Sequence, residues 1–193
     1  MTIRRLPKII VNQIAAGEVI ERPSAVVKEL VENSLDAGAT RVDVVLRDGG
    51  KSLIQVIDDG NGMKQEELSL AVERHATSKL PKDDLESIMT LGFRGEALPS
   101  IGAVSRTKIT SRSKLSDSAW QLRVEAGIVG EPTPAALPAG TSVEVSDLFF
   151  ATPARLKFLR TERTETSLII EAVTRLAMAS SSVAFSVNDG RRN

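Results

Sequence analysis

Glu29, Asn33 and Asp36 are spaced so that a helix over "KELVENSLDAG" carries all three on one side. Two carboxylates and a side-chain carbonyl on one face can take up a proton, ligate a hard cation, or simply meet water. The opposite side, Val27, Leu30, Val31, Ser34 and Leu35, is mostly apolar and can hold the helix against a core. Taken alone, such a polar face usually meets water.

Three further stretches bear on the choice. Asp58-Asp59-Gly60-Asn61-Gly62 follows a strand-like run and has the composition of a surface turn. A carboxylate at a strand end, with two glycines after it, can also accept a hydrogen bond from an amine while the backbone approaches closely. In Gly92-Phe93-Arg94-Gly95-Glu96-Ala97-Leu98, glycines lead into a helix, which presents free N–H groups and a positive dipole end to phosphate. It lacks the Lys-Ser/Thr tail of a Walker loop. Gly140-Thr141, at the head of a strand, signals nothing by itself. The single His75 rules out a multi-histidine metal site and reads as a packed or capping residue. With no cysteine, disulfides, thiolate zinc sites and thiol nucleophiles are all excluded.

The elements that must position these residues follow from pattern. A chain of 193 residues fits one domain, and 41% hydrophobic with 26% charged residues is ordinary for a globular protein. The formal net charge is zero, so no global field draws it to nucleic acid or anionic lipid. Arg4, Arg5, Arg155, Lys157, Arg160 and Arg163 read as scattered solvated charges. No apolar run reaches membrane-span length and the N-terminus lacks a secretory signal, so the expected location is the cytoplasm, without membrane contact.

After a short helix near "NQIAAGEV", Pro23 opens a helix that runs to about Ala37 and stops at Gly38. "TRVDVVLRD" and "KSLIQVID", joined by "DGG", predict an antiparallel hairpin. "KQEELSLAVERHA" is the next amphipathic helix. Residues 74 to 103 combine a polar segment, a short helix in "PKDDLESIMTL" and a glycine-flanked turn, the make-up of a mobile flap over a site. "VSRTKITSR", "AWQLRVEAG" and "GTSVEVSDLF" read as strands, and "EPTPAALPAG" as a Pro-rich loop. "TPARLKFLR" and "TETSLIIEAVTRLAMAS" read as helices and "VAFSVND" as a last strand. Trp120 and the five Phe are assigned to packing. The order lacks the regular alternation of a parallel sheet. The expected fold is an α/β two-layer sandwich, with a mixed, largely antiparallel sheet and helices on one face, one domain over 1–193.

Together the stretches say more. Glu29 and Asn33 one turn apart, then Asp58-x-Gly60-x-Gly62, then GFRGEAL, then Gly140-Thr141, resemble in order the four motifs of the GHKL ATPases. "NQIAAGEVIERPSAVVKELVENSLDAGAT", "RHATSK", "GFRGEAL" and "TPARLKFL" narrow the resemblance to the N-terminal ATPase domain of MutL-type DNA mismatch repair proteins, over essentially the whole chain. The resemblance implies the GHKL sandwich, ATP and Mg2+ as ligands, and slow magnesium-dependent ATP hydrolysis. By it, the polar helix face looks into the nucleotide pocket. Glu29 matches the general base and Asn33 the magnesium ligand. Asp58 matches the acceptor of the adenine amine, and Gly60 and Gly62 let the chain pass close to base and sugar. Thr141 matches a hydroxyl that supports Asp58 and an ordered water. Thr77, Ser78 and Lys79, with Arg94, Gly95, Glu96, Ala97 and Leu98, correspond to an ATP lid at about 74–100 that wraps the phosphates, Lys79 touching them only in a closed state. Asp36, a turn further on, reads as solvated or structural.

The implied partners are a second copy of the chain, paired on nucleotide binding through the arm "MTIRRLPKIIVNQIAAGEV", and, through a longer protein, DNA and a mismatch-recognition protein. Proteins of this type continue into a second domain that brings a Lys to the γ-phosphate, so the chain is expected to be an N-terminal part that binds ATP weakly and stays monomeric. The alternatives are a nucleotide-gated binding module without hydrolysis, or another GHKL machine such as a topoisomerase ATPase subunit. Two positions depart from the family pattern: Ala151 stands where Asn is common, and Asp59, in place of a frequent Asn, is expected to add charge near the pocket rim.

Overall fold

The computed structural model describes residues 3–79, 90–92 and 95–190. Helix α1 (Lys8–Val19) leads into α2 (Pro23–Asp36), whose first residue is a proline, where a missing N–H costs no helical hydrogen bond. The chain leaves α2 through Gly38, at φ 71°. Strands β1 (Arg41–Arg47) and β2 (Leu53–Asp58) form the expected antiparallel hairpin around a short 3-10 turn at Asp48–Gly50. Helix α3 (Gln65–Ala71) is shorter than the sequence pattern, which carries on to Ala76. The Glu73 N–H closes a tighter turn on the Leu70 carbonyl, and His75 then takes a left-handed φ of 63° that no helix continues through. The short helix expected in "PKDDLESIMTL" falls largely on residues outside the described ones, as do Phe93 and Arg94.

Helix α4 (Ala97–Val104) is followed by β3 (Arg106–Arg112), β4 (Ala119–Glu125), β5 (Ile128–Val129), β6 (Thr133–Ala135) and β7 (Gly140–Ser146). A single turn, α5 (Pro153–Leu156), precedes α6 (Glu162–Ala179) and β8 (Ala184–Asn188). Among the described residues the sheet runs β5-β4-β3-β7-β2-β1-β8, with β6 beside β4. Among the described strands only the β1–β8 pairing is parallel, which makes the sheet mixed and largely antiparallel, as expected. The two shortest strands were not legible: β6 lies inside the Pro-rich loop, and Pro134 is tolerated because it pairs at the edge of β4.

Register explains why the helices gather on one face. Leu122, Ile109, Val143, Val56 and Val44 are cross-strand neighbours in a row over five strands, and all are buried. The next row, on the opposite face, reads Arg123, Lys108, Glu144, Gln55 and Val45, a mostly polar set that suits solvent. Val26, Val27, Leu30 and Val31 of α2 join the apolar row in one core, together with Ile101 and Val104 of α4 and Ile169 and Val173 of α6. Of the aromatic residues, Phe149 is fully buried, whereas Phe158 is 83% exposed, so assigning every Phe to packing fails there. Among the described residues no helix is long and apolar enough to cross a membrane.

Candidate functional site

Two residues along the strands from the apolar row, the same inward face turns polar. Asp58, Thr141 and Ser111 are direct cross-strand neighbours on β2, β7 and β3, beneath the C-terminal half of α2. The Asp58 carboxylate accepts from Ser34 Oγ at 2.8 Å and from the Gly60 N–H at 2.9 Å. Burial pushes its pKa above the ordinary carboxylate value, while the donors from Ser34, Gly60 and the Thr141 backbone pull the other way. The Thr141 hydroxyl is shared with Ser111 at 2.9 Å, and Ser111 also accepts from the Met63 N–H at 2.8 Å. Thr141 thus lies beside Asp58, with its hydroxyl on Ser111 and its backbone toward the carboxylate.

The two glycines of the Asp58 motif serve the protein's own atoms first. A Cβ on Gly60 would stand 2.9 Å from Asp58 Oδ1 and 3.0 Å from the Ala37 carbonyl oxygen, so a side chain there would displace the carboxylate. Gly62 has φ 65°, and its Cβ would fall 2.0 Å from the Arg112 carbonyl oxygen. Asp59, expected to add charge near the pocket rim, accepts from the backbone N–H groups of Thr40 at 2.7 Å and Arg41 at 2.9 Å. Its charge secures the start of β1, and those donors, led by the Thr40 hydroxyl, hold its pKa low.

On the polar face of α2, Glu29 is partly exposed, its side chain at 30%. Desolvation raises its pKa, opposed mainly by the Lys28 ammonium 3.8 Å away. One turn on, Asn33 Oδ1 accepts from Lys79 Nζ at 2.7 Å. The same ammonium lies 2.6 Å from Asp36 Oδ2, and Asp36 accepts further from the N–H groups of Leu91 at 3.0 Å and Gly92 at 3.2 Å. Its side chain is only 7% exposed. Asp36 is therefore not solvated: it ties the segments at 79 and at 91–92 to α2.

The lid residues that are described come together. Thr77 Oγ1 accepts from the Lys79 N–H at 3.1 Å. Gly95, at φ 60°, lies so close to Ala76 that a Cβ would stand 2.3 Å from its carbonyl oxygen, which sets the Ala76–Lys79 segment against the start of α4. Glu96 is the N-cap residue there but forms no side-chain cap, leaving the first-turn N–H groups near Ala97 and Leu98 without one. It lies instead 3.4 Å from His75 Nδ1, so His75 is an exposed neighbour of the lid rather than a packed residue. Arg94 lies outside the described residues, and Ser78 stands between Thr77 and Lys79 in the segment that Gly95 packs against.

Ser34 and Ser111 were missed in the sequence. Their signal was a hydroxyl in an otherwise apolar stripe, since a buried polar atom requires a partner. Arg155 was missed as well. It donates to the carbonyls of Gly17 and Ile20, each at 2.8 Å, and pins the end of α1 rather than standing as a solvated charge. A cleft of about 650 Å³ is lined by Arg112, Asp117, Ala119 and Ala135–Pro138, without Glu29, Asn33 or Asp58 in its wall.

Comparisons with known proteins bear on this geometry. Residues 21–142, which hold Glu29, Asn33, Asp58 and Thr141, match the family of histidine kinase-, DNA gyrase B- and HSP90-like ATPases. The DNA mismatch repair protein MutL of Paramagnetospirillum magneticum is 63% identical over 192 residues, covering 100% of this chain and 32% of that protein. The MutL of Rhodospirillum rubrum is 62% identical, with 100% of this chain and 30% of that protein covered. The chain thus spans about a third of the length of these relatives. A solved Aquifex aeolicus MutL ATPase domain in complex with ADP superposes with a TM-score of 0.76 at 38% identity, over 90% of this chain and 62% of that one. Motif order, sheet topology and these matches agree: the chain belongs to the histidine kinase-, DNA gyrase B- and HSP90-like ATPase family and resembles, within it, the ATPase domains of MutL mismatch-repair proteins.

Proposed function

We propose that this chain binds ATP with magnesium and hydrolyses it slowly, as the ATP-driven part of a mismatch-repair protein whose copies pair on nucleotide binding. The observation that carries the reading is the polar end of the core face. There, Asp58, held by Ser34 and Gly60, lies under the helix that presents Glu29 and Asn33. The ADP complex of the Aquifex relative supports it.

The Asp58 carboxylate accepts from the Ser34 hydroxyl and the Gly60 N–H, with the Thr141 backbone as a third donor, and a carboxylate's roughly four lone-pair sites leave room for one more. An exocyclic adenine amine can donate to it, whereas a guanine carbonyl at that place would meet only repulsion. Glu29, with its pKa raised by desolvation, is a stronger base at neutral pH than a solvated carboxylate, suited to take a proton from an attacking water. The N–H groups at the start of α4, beside Thr77, Ser78 and Lys79, suit the phosphates.

The donors present fit magnesium. Asn33 Oδ1 and Asp36 Oδ2 are hard oxygens that already share one cation, the Lys79 ammonium. Among the described residues no cluster of three acidic or histidine side chains could cage a metal, so phosphates and water would fill most of its shell. Bound there, magnesium would neutralise charge on the transferred phosphoryl group. The test is a titration with ADP and GDP, with and without magnesium, together with phosphate release from ATP. Magnesium-dependent preference for ADP is expected, and equal binding of GDP would overturn the assignment of Asp58.

A further inference from the structure

We propose that Lys79 is the resident cation of the magnesium position and Asp36 its counter-ligand, so that divalent metal and the Lys79 ammonium exclude each other at α2. This rests on the nucleotide-binding reading above and assigns roles within the same site. The Lys79 nitrogen is 2.7 Å from Asn33 Oδ1 and 2.6 Å from Asp36 Oδ2. Magnesium binds such oxygens at about 2.0–2.1 Å. A dication on Asn33 would therefore sit within a few ångströms of the ammonium, where like charges repel by several kT in a partly desolvated site. Lys79 has to leave before metal enters.

Asp36 makes the exchange feasible. Its side chain is almost fully buried, so losing the ammonium without replacement would strand a desolvated carboxylate. Magnesium, directly or through a bound water, supplies the missing positive charge, and the N–H groups of Leu91 and Gly92 hold the carboxylate in place throughout. The displaced ammonium starts beside Glu29, whose carboxyl already feels its charge, and is free to turn to a phosphate. Metal entry and release of Lys79 become one event. Asp36 is a positioning residue in this scheme, acting through the cation it shares with Asn33.

The test needs no turnover. Mn2+ is titrated into the nucleotide-free chain and read by the loss of the free-ion electron paramagnetic resonance signal, for the wild type, Lys79→Met, and Lys79→Met combined with Asp36→Asn. Removing the ammonium should tighten Mn2+ binding about tenfold or more, and the added Asp36→Asn should return it to the wild-type level or weaker. Lys79→Arg should stay close to wild type. Equal Mn2+ affinity in wild type and Lys79→Met would overturn the exclusion, and an unchanged affinity on adding Asp36→Asn would overturn its role as counter-ligand. Near-ultraviolet circular dichroism of each variant confirms that the fold is kept. ADP binding by the wild type, measured alongside, tests the nucleotide reading separately: if ADP binds and the Mn2+ affinities do not differ, only the exclusion fails.

Discussion

Glu29 and Asp58 are both partly desolvated carboxylates with raised pKa values, yet their neighbours give them different work. Among the described residues Glu29 has no hydrogen-bond donor holding it except Lys28 at 3.8 Å, so it is free to move a proton. Glu29→Ala should lower turnover about 10²–10⁴-fold while nucleotide affinity changes less than about threefold. Parallel losses in rate and in ADP affinity, measured by phosphate release and calorimetry, would remove it from the chemistry. Asp58 is fixed by Ser34 and Gly60 and should act by recognition. In Asp58→Asn the new amide can donate to Ser34 Oγ, which in turn keeps its bond to the Leu30 carbonyl, so the fold accepts the change. Adenine loses a charged acceptor, and ADP binding should fall about 10–100-fold. Stability should move the other way. A carboxyl whose folded pKa is raised adds stability that is full below the ordinary carboxylate range and is lost as pH rises through the folded value. Compared with wild type, Asp58→Asn should therefore gain stability between about pH 4 and pH 7. Urea denaturation at both pH values checks this, and a difference that shrinks with rising pH would mean that the Asp58 carboxylate stabilises the fold.

Among the elements, what the sequence disclosed tracks how local the cause is. Helix α2 was legible to within a residue at both ends because Pro23, the apolar spacing and Gly38 all act locally. The β1–β2 hairpin followed from alternation around a glycine turn for the same reason. Arg155 was misread, and Asp36 was left between a solvated and a structural reading, because their partners are distant in sequence: Gly17 and Ile20 for the first, Lys79 and Leu91 for the second. No periodicity reports such contacts. Strands β5 and β6 exist because the outer edge of β4 offers them hydrogen bonds, a cause outside their own residues. The Arg155 contact is testable at this scale. It makes two charge-assisted hydrogen bonds to carbonyls at and just after the end of α1, and Gly17 is shaped to its guanidinium, with a would-be Cβ 3.2 Å from Nη2. Arg155→Ala should cost about 1.5–3 kcal/mol and loosen α1 in hydrogen exchange, and Arg155→Lys should restore only part, lacking the planar fork. Unchanged exchange of the α1 amides would show that the helix is held by packing alone.

At the scale of the molecule, the family match ends at residue 142, but the core does not. Helix α6 packs on α2 and buries Ile169 and Val173 in the same cluster as Val26, Leu30, Leu46 and Ile54. Strand β8 completes the sheet beside β1, with Val187 opposite Val44. Burial of Ile169 and Val173 alone contributes about 3–6 kcal/mol, against a net stability of about 5–15 kcal/mol for an ordinary domain. Removing α6 and β8 would also open the apolar side of α2, the helix that carries Glu29 and Asn33, and leave the hydrogen-bonding edge of β1 unpaired. The two faces of that helix are coupled: the buried one fixes the rotation that aims the polar one. A chain ending at Arg160 should therefore lose both its cooperative urea transition and its ADP binding, although every residue assigned to the nucleotide remains in it. If it unfolded cooperatively and bound ADP like the full chain, α6 and β8 would be an appendage, and the orientation of α2 would depend on the sheet and α4 alone.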